Sequence, residues 1–367
     1  MSKVYFTDLR TNPKRSLLTK VEDLLNRLRP SDIIKKGDIV AIKAHFGEPG
    51  NTAYLRPIFL RRIVEKVKEL DGRPFITDTN TLYRGGRSDA VAHLETAIHH
   101  GFDYACIGCP IIIADGLRGL SSIKVPIDGE VLKEVGIARA IVEADCMIVV
   151  THFKAHELSG FGGAIKNTGM GCASRDGKLT QHSTVAPKIN KDNCKGCRLC
   201  TEYCPMDAIS VSSKKARIDE KRCIGCGECI IICPQGAIEI EWNASPDLFQ
   251  KKMAEHALGA LKNKNGRMMF LNFLLQISPA CDCYPNNDAP IVRDIGILSS
   301  HDPVAIDAAS CDLVNNERSL PGTALKKVLK KGEDKWRGLF PSVDWSVQLD
   351  HGERIGLGTR EYKLIKI

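Results

Sequence analysis

The 367-residue chain has no apolar run approaching the roughly 20 residues of a membrane-spanning helix. Its best candidate, residues 268–277, is interrupted by Asn272 and Gln276 and has the length of a strand, so no membrane association is expected. The N-terminal segment lacks the apolar region of a signal peptide. The chain also lacks a basic block: Lys and Arg are scattered, the net charge is only +8, and no helix-turn-helix or related module is present. Nucleic acid is therefore not an expected partner. No G-x-G-x-x-G follows the first strand pattern, which removes the usual signature of a dinucleotide site. With 43% hydrophobic and 26% charged residues, the composition is that of a globular chain with room for two or three domains.

Cysteine is abundant, with 15 residues. Cys194, Cys197, Cys200 and Cys204 precede Pro205, and the same spacing returns 29 residues later as Cys223, Cys226, Cys229 and Cys233 before Pro234. Zinc sites also use two-residue cysteine spacing, but as two separated pairs. Three thiols on one loop and a fourth before proline, repeated once, fit that pattern poorly. Residues 186–241 resemble the bacterial two-cluster ferredoxins, which implies two [4Fe–4S] clusters. In those proteins the fourth cysteine of each run ligates the other cluster. The resemblance thus assigns Cys194, Cys197, Cys200 and Cys233 to one cluster, and Cys223, Cys226, Cys229 and Cys204 to the second. Clusters need reduced thiolates, so a cytoplasmic location is expected.

Elsewhere strands and helices alternate. Residues 38–44, 145–150 and 267–277 have the near-continuous hydrophobicity of strands buried on both faces. Helical stripes fall at 17–28, 57–70 and 304–314; 130–144 is predicted as a helix and 291–298 as a strand. The expected fold is α/β, an open and mostly parallel sheet with helices on both faces, interrupted by a small α+β ferredoxin domain. Residues 1–186 and 242–367 form the two parts of the α/β domain in this reading, with 187–241 inserted; three consecutive domains are the alternative. Ligands of such sheets sit beyond the C-terminal strand ends, where residues 43–45, 78–80 and 151–156 fall.

Residues 151–181 carry a second centre. Gly160, Gly162 and Gly163 permit close backbone approach, and a helix following them would offer amides to an anion. With Lys154 and Arg175 they are the expected site for a small anionic ligand, a carboxylate or phosphate. A solvated loop with ordinary lysines is the alternative. His152 and His156 would share one face if the segment were helical, able to bind a metal or shuttle protons. Together with Lys43, His45 and Lys166 they form the candidate catalytic set, histidines donating protons and lysines stabilising negative charge.

Seven cysteines remain. Cys172, Cys281 and Cys283 lie on strand-end loops and are candidates for an additional metal or iron–sulfur centre, completed by His152 or His156. Cys106 and Cys109 are either a turn or a redox pair. Cys146 and Cys311 fit apolar patterns and read as core. His301 and Asp302 either join the site, or Ser300 or Asp302 caps the helix that Pro303 begins.

Residues 151–175, with 42–48 and 281–283, resemble the family known as domain of unknown function 362, over essentially the whole chain. Members of that family often carry a two-cluster ferredoxin unit, and the resemblance implies architecture more than a reaction. The segment from His156 through Gly160–Lys166 is also similar to the loop of the nickel-dependent lactate racemases, departing at Gly162, where that family has serine. The expected function is oxidoreduction: two clusters exchange electrons with a redox partner protein and pass them to a small anionic substrate or cofactor. The alternatives are a non-enzymatic electron carrier or cofactor-maturation protein, and a racemase-like or hydrolytic enzyme with regulatory clusters.

Overall fold

The structure is a computed structural model and describes residues 1–183, 186–241 and 243–367. Thr184, Val185 and Trp242, which flank the expected domain joints, lie outside the described residues.

The chain begins β1 (Ser2–Asp8), α1 (Leu17–Arg27), β2 (Ile39–Lys43), α2 (Pro57–Glu69), β3 (Arg73–Asp78), α3 (Ala90–His99), α4 (Tyr104–Ile107) and β4 (Ile111–Ile113). A hairpin of β5 (Ser122–Pro126) and β6 (Glu134–Ala138) leads through α5 (Arg139–Glu143) to β7 (Cys146–His152). Then come a second hairpin, β8 (Lys154–His156) and β9 (Gly160–Gly162), and the helices α6 (Ala164–Gly169) and α7 (Arg175–His182). The cysteine-rich segment holds β10 (Lys188–Ile189), α8 (Leu199–Glu202), β11 (Ile209–Ser212), β12 (Lys215–Ile218), α9 (Glu228–Ile232) and β13 (Ile238–Glu239). The chain closes with α10 (Pro246–Leu261), β14 (Met268–Leu274), β15 (Gly296–Ser300), α11 (Pro303–Asn315), α12 (Lys335–Leu339), α13 (Val347–Arg354) and β16 (Tyr362–Lys366).

Eight strands form one sheet in the order β16-β1-β15-β14-β7-β2-β3-β4. Only β15 runs against its neighbours, β1 and β14; the other pairs are parallel. The fold is therefore α/β with a mostly parallel sheet. Its centre is hydrophobic on both sides because both are covered. Residues such as Leu24, Leu60, Ile63 and Val64 of α1 and α2 pack with Val40, Ile42 and Ile148 on one face. Met253, Ala257, Val304 and Ala308 of α10 and α11 pack with Met147 and Val149 on the other. Each such buried aliphatic side chain stabilises the fold by about 1.5–3 kcal/mol. Side-chain caps fix where helices start: Ser16 for α1, Asp89 for α3 and Asp302 for α11, which resolves the choice between Ser300 and Asp302.

Two expected elements differ. Residues 130–144 do not form a helix; Val135 and Ile137 are buried on β6, and only 139–143 is helical. The cause is tertiary: Gly136 lies against Ser174 and Asp176, where a Cβ would fall 2.7 Å from Asp176 Oδ2. The strand expected at 291–298 begins at Gly296, because Ile291 and Val292 fill the core from a loop. The turn read at Cys106–Cys109 is the single turn α4, followed by β4.

β7 and β14 lie on either side of residues 188–241 in sequence, yet they pair directly, Met147 opposite Met268 through His152 opposite Phe273. Between them the chain forms two small antiparallel pairs, β10–β13 and β11–β12. These surround an apolar cluster that includes Ile209, Ile230, Ile238 and four of the cysteines. Leu82 and Leu179 of the larger part join that cluster. No helix among the described residues is long and apolar enough to cross a membrane.

Candidate functional site

The parallel strands deliver their C-terminal ends to one cavity of about 810 Å³, lined among others by His45, Asp78, Lys154, His156, Lys166, Lys178, Leu82, Phe249 and Cys283. His45 follows β2, Asp78 ends β3, Lys154 and His156 are on β8, and Lys166 and Lys178 extend from α6 and α7. Behind this wall Lys43 is fully buried. Its Nζ lies 3.0 Å from Asp78 Oδ1 and donates to Asn167 Oδ1 (2.7 Å) and the Ala44 carbonyl (2.8 Å). Lys43 therefore braces Asp78, whose carboxyl is held below its ordinary range by Lys43, His93 and Arg87 against the opposing effect of burial.

Arg87, absent from the candidate set, organises the opposite wall. Its guanidinium donates to Glu48 Oε2 (2.9 Å) and Tyr83 Oη (2.8 Å), and Nη1 lies 3.1 Å from His45 Nε2. His45 Nδ1 accepts the Gly47 amide (3.0 Å). Burial, then Arg87 and three lysines, push the His45 pKa well below 6.5. Burial and Lys166 do the same to His156, whose Nδ1 accepts the Leu158 amide (3.3 Å) and whose ring stacks on Phe249. Both imidazoles are neutral at neutral pH. The better acid is Lys178, whose pKa burial lowers to about 8, with Asp115 and Asp78 limiting the fall. Lys178 sits in the Gly-rich stretch, but its sequence context resembles that of any surface lysine. Only its burial on α7, against the Asn80 carbonyl (2.6 Å) and Thr79 Oγ1, sets it apart.

Other residues have different work. His152 and His156 stand on strands and not on a helical face, because Gly160, at φ +73° against Trp345, turns the chain into the β8–β9 hairpin. His152 Nδ1 is 2.9 Å from Asp282 Oδ1 and Nε2 is 2.9 Å from the Leu275 carbonyl, so the ring ties β7 to the loop after β14 and does not line the cavity. The amides expected to bind an anion at the start of α6 are taken within the chain: Asp307 accepts from Ala164 (2.7 Å) and Ile165 (2.9 Å). Gly163 is needed there because a Cβ would fall 2.2 Å from Asp307 Oδ1. Arg175 is buried in an ion pair with Glu228 (2.9 Å) and donates to the Ser88 carbonyl. Gly162 lies between the cavity-lining Lys154 and Lys166; a Cβ on it would lie 3.1 Å from Lys166 Cδ and 3.5 Å from Lys154 Cε. His301 reaches the Met268 and Leu28 carbonyls, apart from the cavity lining.

Of the remaining cysteines, Cys146 and Cys311 are buried core. Burial raises the Cys109 thiol to about 11, the mark of an unreactive cysteine. Cys172 is fully buried, its thiol raised to about 11, with Lys43, Asp78 and Lys178 as its charged neighbours. Cys281 and Cys283 differ from these: Lys166 Nζ donates to Cys281 Sγ (3.5 Å), and Cys283 lines the cavity. Among the described residues no three His, Cys, Asp or Glu side chains are grouped to hold a single metal ion. The trio Cys172, Cys281 and Cys283 is therefore not gathered for one.

The eight cysteines of the two runs line two further, much smaller pockets. One is lined by Cys194, Cys197, Cys200 and Cys233, the other by Cys204, Cys223, Cys226 and Cys229. Each takes three thiols from one run and the fourth from the other. Otherwise the walls are largely apolar, including Val211, Ala216 and Ile238 in the first and Ile209, Ile218 and Ile224 in the second. Backbone amides donate to three of the sulfurs: Ala216 to Cys194 (3.4 Å), Ala208 to Cys204 (3.3 Å) and Ala237 to Cys233 (3.3 Å). The Ala216 amide is also the main reason the Cys194 thiol is lowered. Four soft donors spread around an apolar void, with amides on the sulfurs, suit a cubic iron–sulfur cluster better than one tetrahedral ion.

The second pocket adjoins the large cavity. A Cβ on Gly227, in its wall, would lie 2.8 Å from Leu82 Cδ1, and Leu82 also lines the cavity. Glu228 of the same loop receives Arg175 and Arg118, and Arg84 from the cavity rim donates to the Ile231 carbonyl (3.0 Å).

Fold and site together define an α/β protein with a cationic strand-end cavity abutting a compact cysteine-rich unit. The chain belongs to the family described as Domain of unknown function (DUF362), whose model matches residues 40–312. No curated protein matches it. Among solved structures it is similar to the lactate racemase apoprotein from Thermoanaerobacterium thermosaccharolyticum, at 16% identity and a TM-score of 0.38, covering 74% of this chain and 50% of that one. A Thermotoga maritima protein solved in structural genomics is similar at 9% identity and a TM-score of 0.40, covering 80% of this chain and 57% of that one. The chain thus spans half the length of the first and 57% of the second.

Proposed function

We propose that the chain is an iron–sulfur oxidoreductase in which two [4Fe–4S] clusters exchange electrons with a redox partner protein and serve a small anionic ligand in the strand-end cavity. The observation that carries this reading is the exchange of fourth cysteines between the two pockets, Cys233 to one and Cys204 to the other, which is the two-cluster ferredoxin arrangement. In this reading residues 187–241 are a ferredoxin unit inserted between 1–186 and 242–367, a division supported by the direct pairing of β7 with β14. When bound, the clusters supply one-electron transfer. The chain's own residues supply the remainder: Lys154 and Lys166 attract the anion, Lys178 provides a proton, and the neutral imidazoles of His45 and His156 line the cavity as hydrogen-bonding groups. Leu82 lines the cavity and also packs at Gly227 in the wall of the nearer cysteine pocket.

The test is anaerobic purification followed by mass spectrometry of released small molecules. An anion should accompany the wild-type protein, reoxidise the dithionite-reduced chromophore when added back, and be lost from the double variant Lys154→Met, Lys166→Met. Equal retention by that variant, or a released molecule that leaves the reduced chromophore unchanged, would contradict the proposal.

A further inference from the structure

Clusters pass electrons singly, whereas most organic reductions consume a pair. We infer that Cys281 and Cys283 form a redox-active dithiol at the cavity, Cys283 attacking and Cys281 resolving, and that its substrate is a small anionic disulfide. This inference rests on the proposed cluster reading for its source of electrons.

The loop after β14 is built to present two thiols. Asp282, between them, is fully buried and turned away, with His152 Nδ1 2.9 Å from its Oδ1 and Lys154 Nζ 3.5 Å from its Oδ2. The Tyr284 amide donates to the Cys281 carbonyl (3.0 Å) and Tyr83 Oη to the Cys283 carbonyl (2.9 Å), fixing the turn from both sides. The backbone thus holds the two thiols on one turn. Cys283 lines the cavity, while Cys281 lies behind it. Lys166 Nζ approaches Cys281 Sγ at 3.5 Å, the ammonium's only hydrogen bond among the described residues. A cysteine kept for packing would have no use for an ammonium partner. The hydrogen bond from Cys283, and then Lys166 and Lys154, pull the Cys281 thiol well below its ordinary range despite burial, while the shared proton holds Cys283 up. When the pair ionises, its charge therefore rests on Cys281, beside Lys166.

The chemistry balances on that charge state. The Cys283 proton passes to the Cys281 thiolate, and the Cys283 sulfur attacks one sulfur of the substrate R–S–S–R′. The S–S bond breaks and R′S⁻ leaves, taking up the proton now on Cys281. The Cys281 thiolate, beside Lys166, then attacks Cys283 sulfur and expels RS⁻. The products are R′SH, RS⁻ and a Cys281–Cys283 disulfide, so the substrate gains the two electrons the dithiol loses. Two electrons and one proton restore the dithiol; the electrons come from an external one-electron reductant through the clusters. A disulfide closed across one intervening residue is strained, which favours its reduction. Lys154 and Lys166, on either side of Gly162, account for an anionic substrate.

Oxidised glutathione is a suitable probe, applied anaerobically to the cluster-loaded chain, with acid quench, alkylation and peptide mass spectrometry. The wild type should gain a Cys281–Cys283 disulfide and retain no glutathione, and reduced methyl viologen should return both thiols. Cys281→Ser should trap one glutathione on Cys283, Cys283→Ser should trap none, and both variants should keep the wild-type iron content. In Lys166→Gln the disulfide should form about tenfold more slowly, as loss of a thiolate partner implies. A wild-type chain with full iron and both thiols unreacted would overturn the dithiol and leave the cluster reading standing. An iron-free chain that still forms the disulfide would overturn the cluster reading and leave the dithiol. Adducts on other cysteines in Cys281→Ser would also overturn the assignment.

Discussion

Asp282 shows how much one buried charge can hold. Its carboxylate meets His152, Lys154 and the field of Lys166, and these hold it well below the ordinary carboxylate range against full burial. A depressed folded-state pKa contributes stability that is present above the unfolded value of about 4 and is lost as pH falls below it. Asp282→Asn should therefore destabilise the protein by about 3–5 kcal/mol at pH 7 and flatten the acid limb of a stability–pH profile. Lys178 works in the opposite sense. Its pKa of about 8 means that its charge fades as pH rises through 8, so affinity for the co-purifying anion should fall there. In Lys178→Met that limb should disappear from a titration of binding against pH. None of these roles is visible locally. His152 and His156 are legible as an unusual pair, but the partner that removes His152 from the cavity is Asp282, 130 positions away. Arg175 reads as a ligand-binding cation until Glu228, 53 positions on, claims it.

Among the elements, those with strong hydrophobic patterns were legible: β2, β7 and β14 are continuous apolar runs because the sheet is covered on both faces. The failure at 130–144 came from a segment whose apolar residues serve both periods, where packing of β6 against α7 and α10 decides. The helix start at 164 was legible as an anion site, and it is one, but the anion is Asp307 of α11. The joint between α7 and the cysteine-rich unit rests on the buried Arg175–Glu228 pair. Glu228→Ala leaves Arg175 buried without its carboxylate, a change that costs about 3–5 kcal/mol. Hydrogen exchange should then accelerate in 175–182 and 226–232 while β7 and β14 keep their protection. Unchanged exchange in both segments would show that the pair does not hold the joint.

At the scale of the molecule, the cysteine spacing carried the most information because cluster ligation is encoded by local steps of two and three residues, independent of the surrounding fold. The cavity was legible only as a topological rule, strand ends in an α/β sheet; its walls, Arg87 and Glu48 among them, needed the folded chain. The exchange of fourth cysteines makes a selective prediction. Cys233→Ser should lose the cluster of Cys194, Cys197 and Cys200, lowering iron from about eight to about four per chain, while the cluster of the second run keeps its electron paramagnetic resonance signal. The most direct measurement is iron and acid-labile sulfide per chain in the anaerobically purified wild-type protein. Two clusters require about eight of each; about two zinc ions with no sulfide would contradict them.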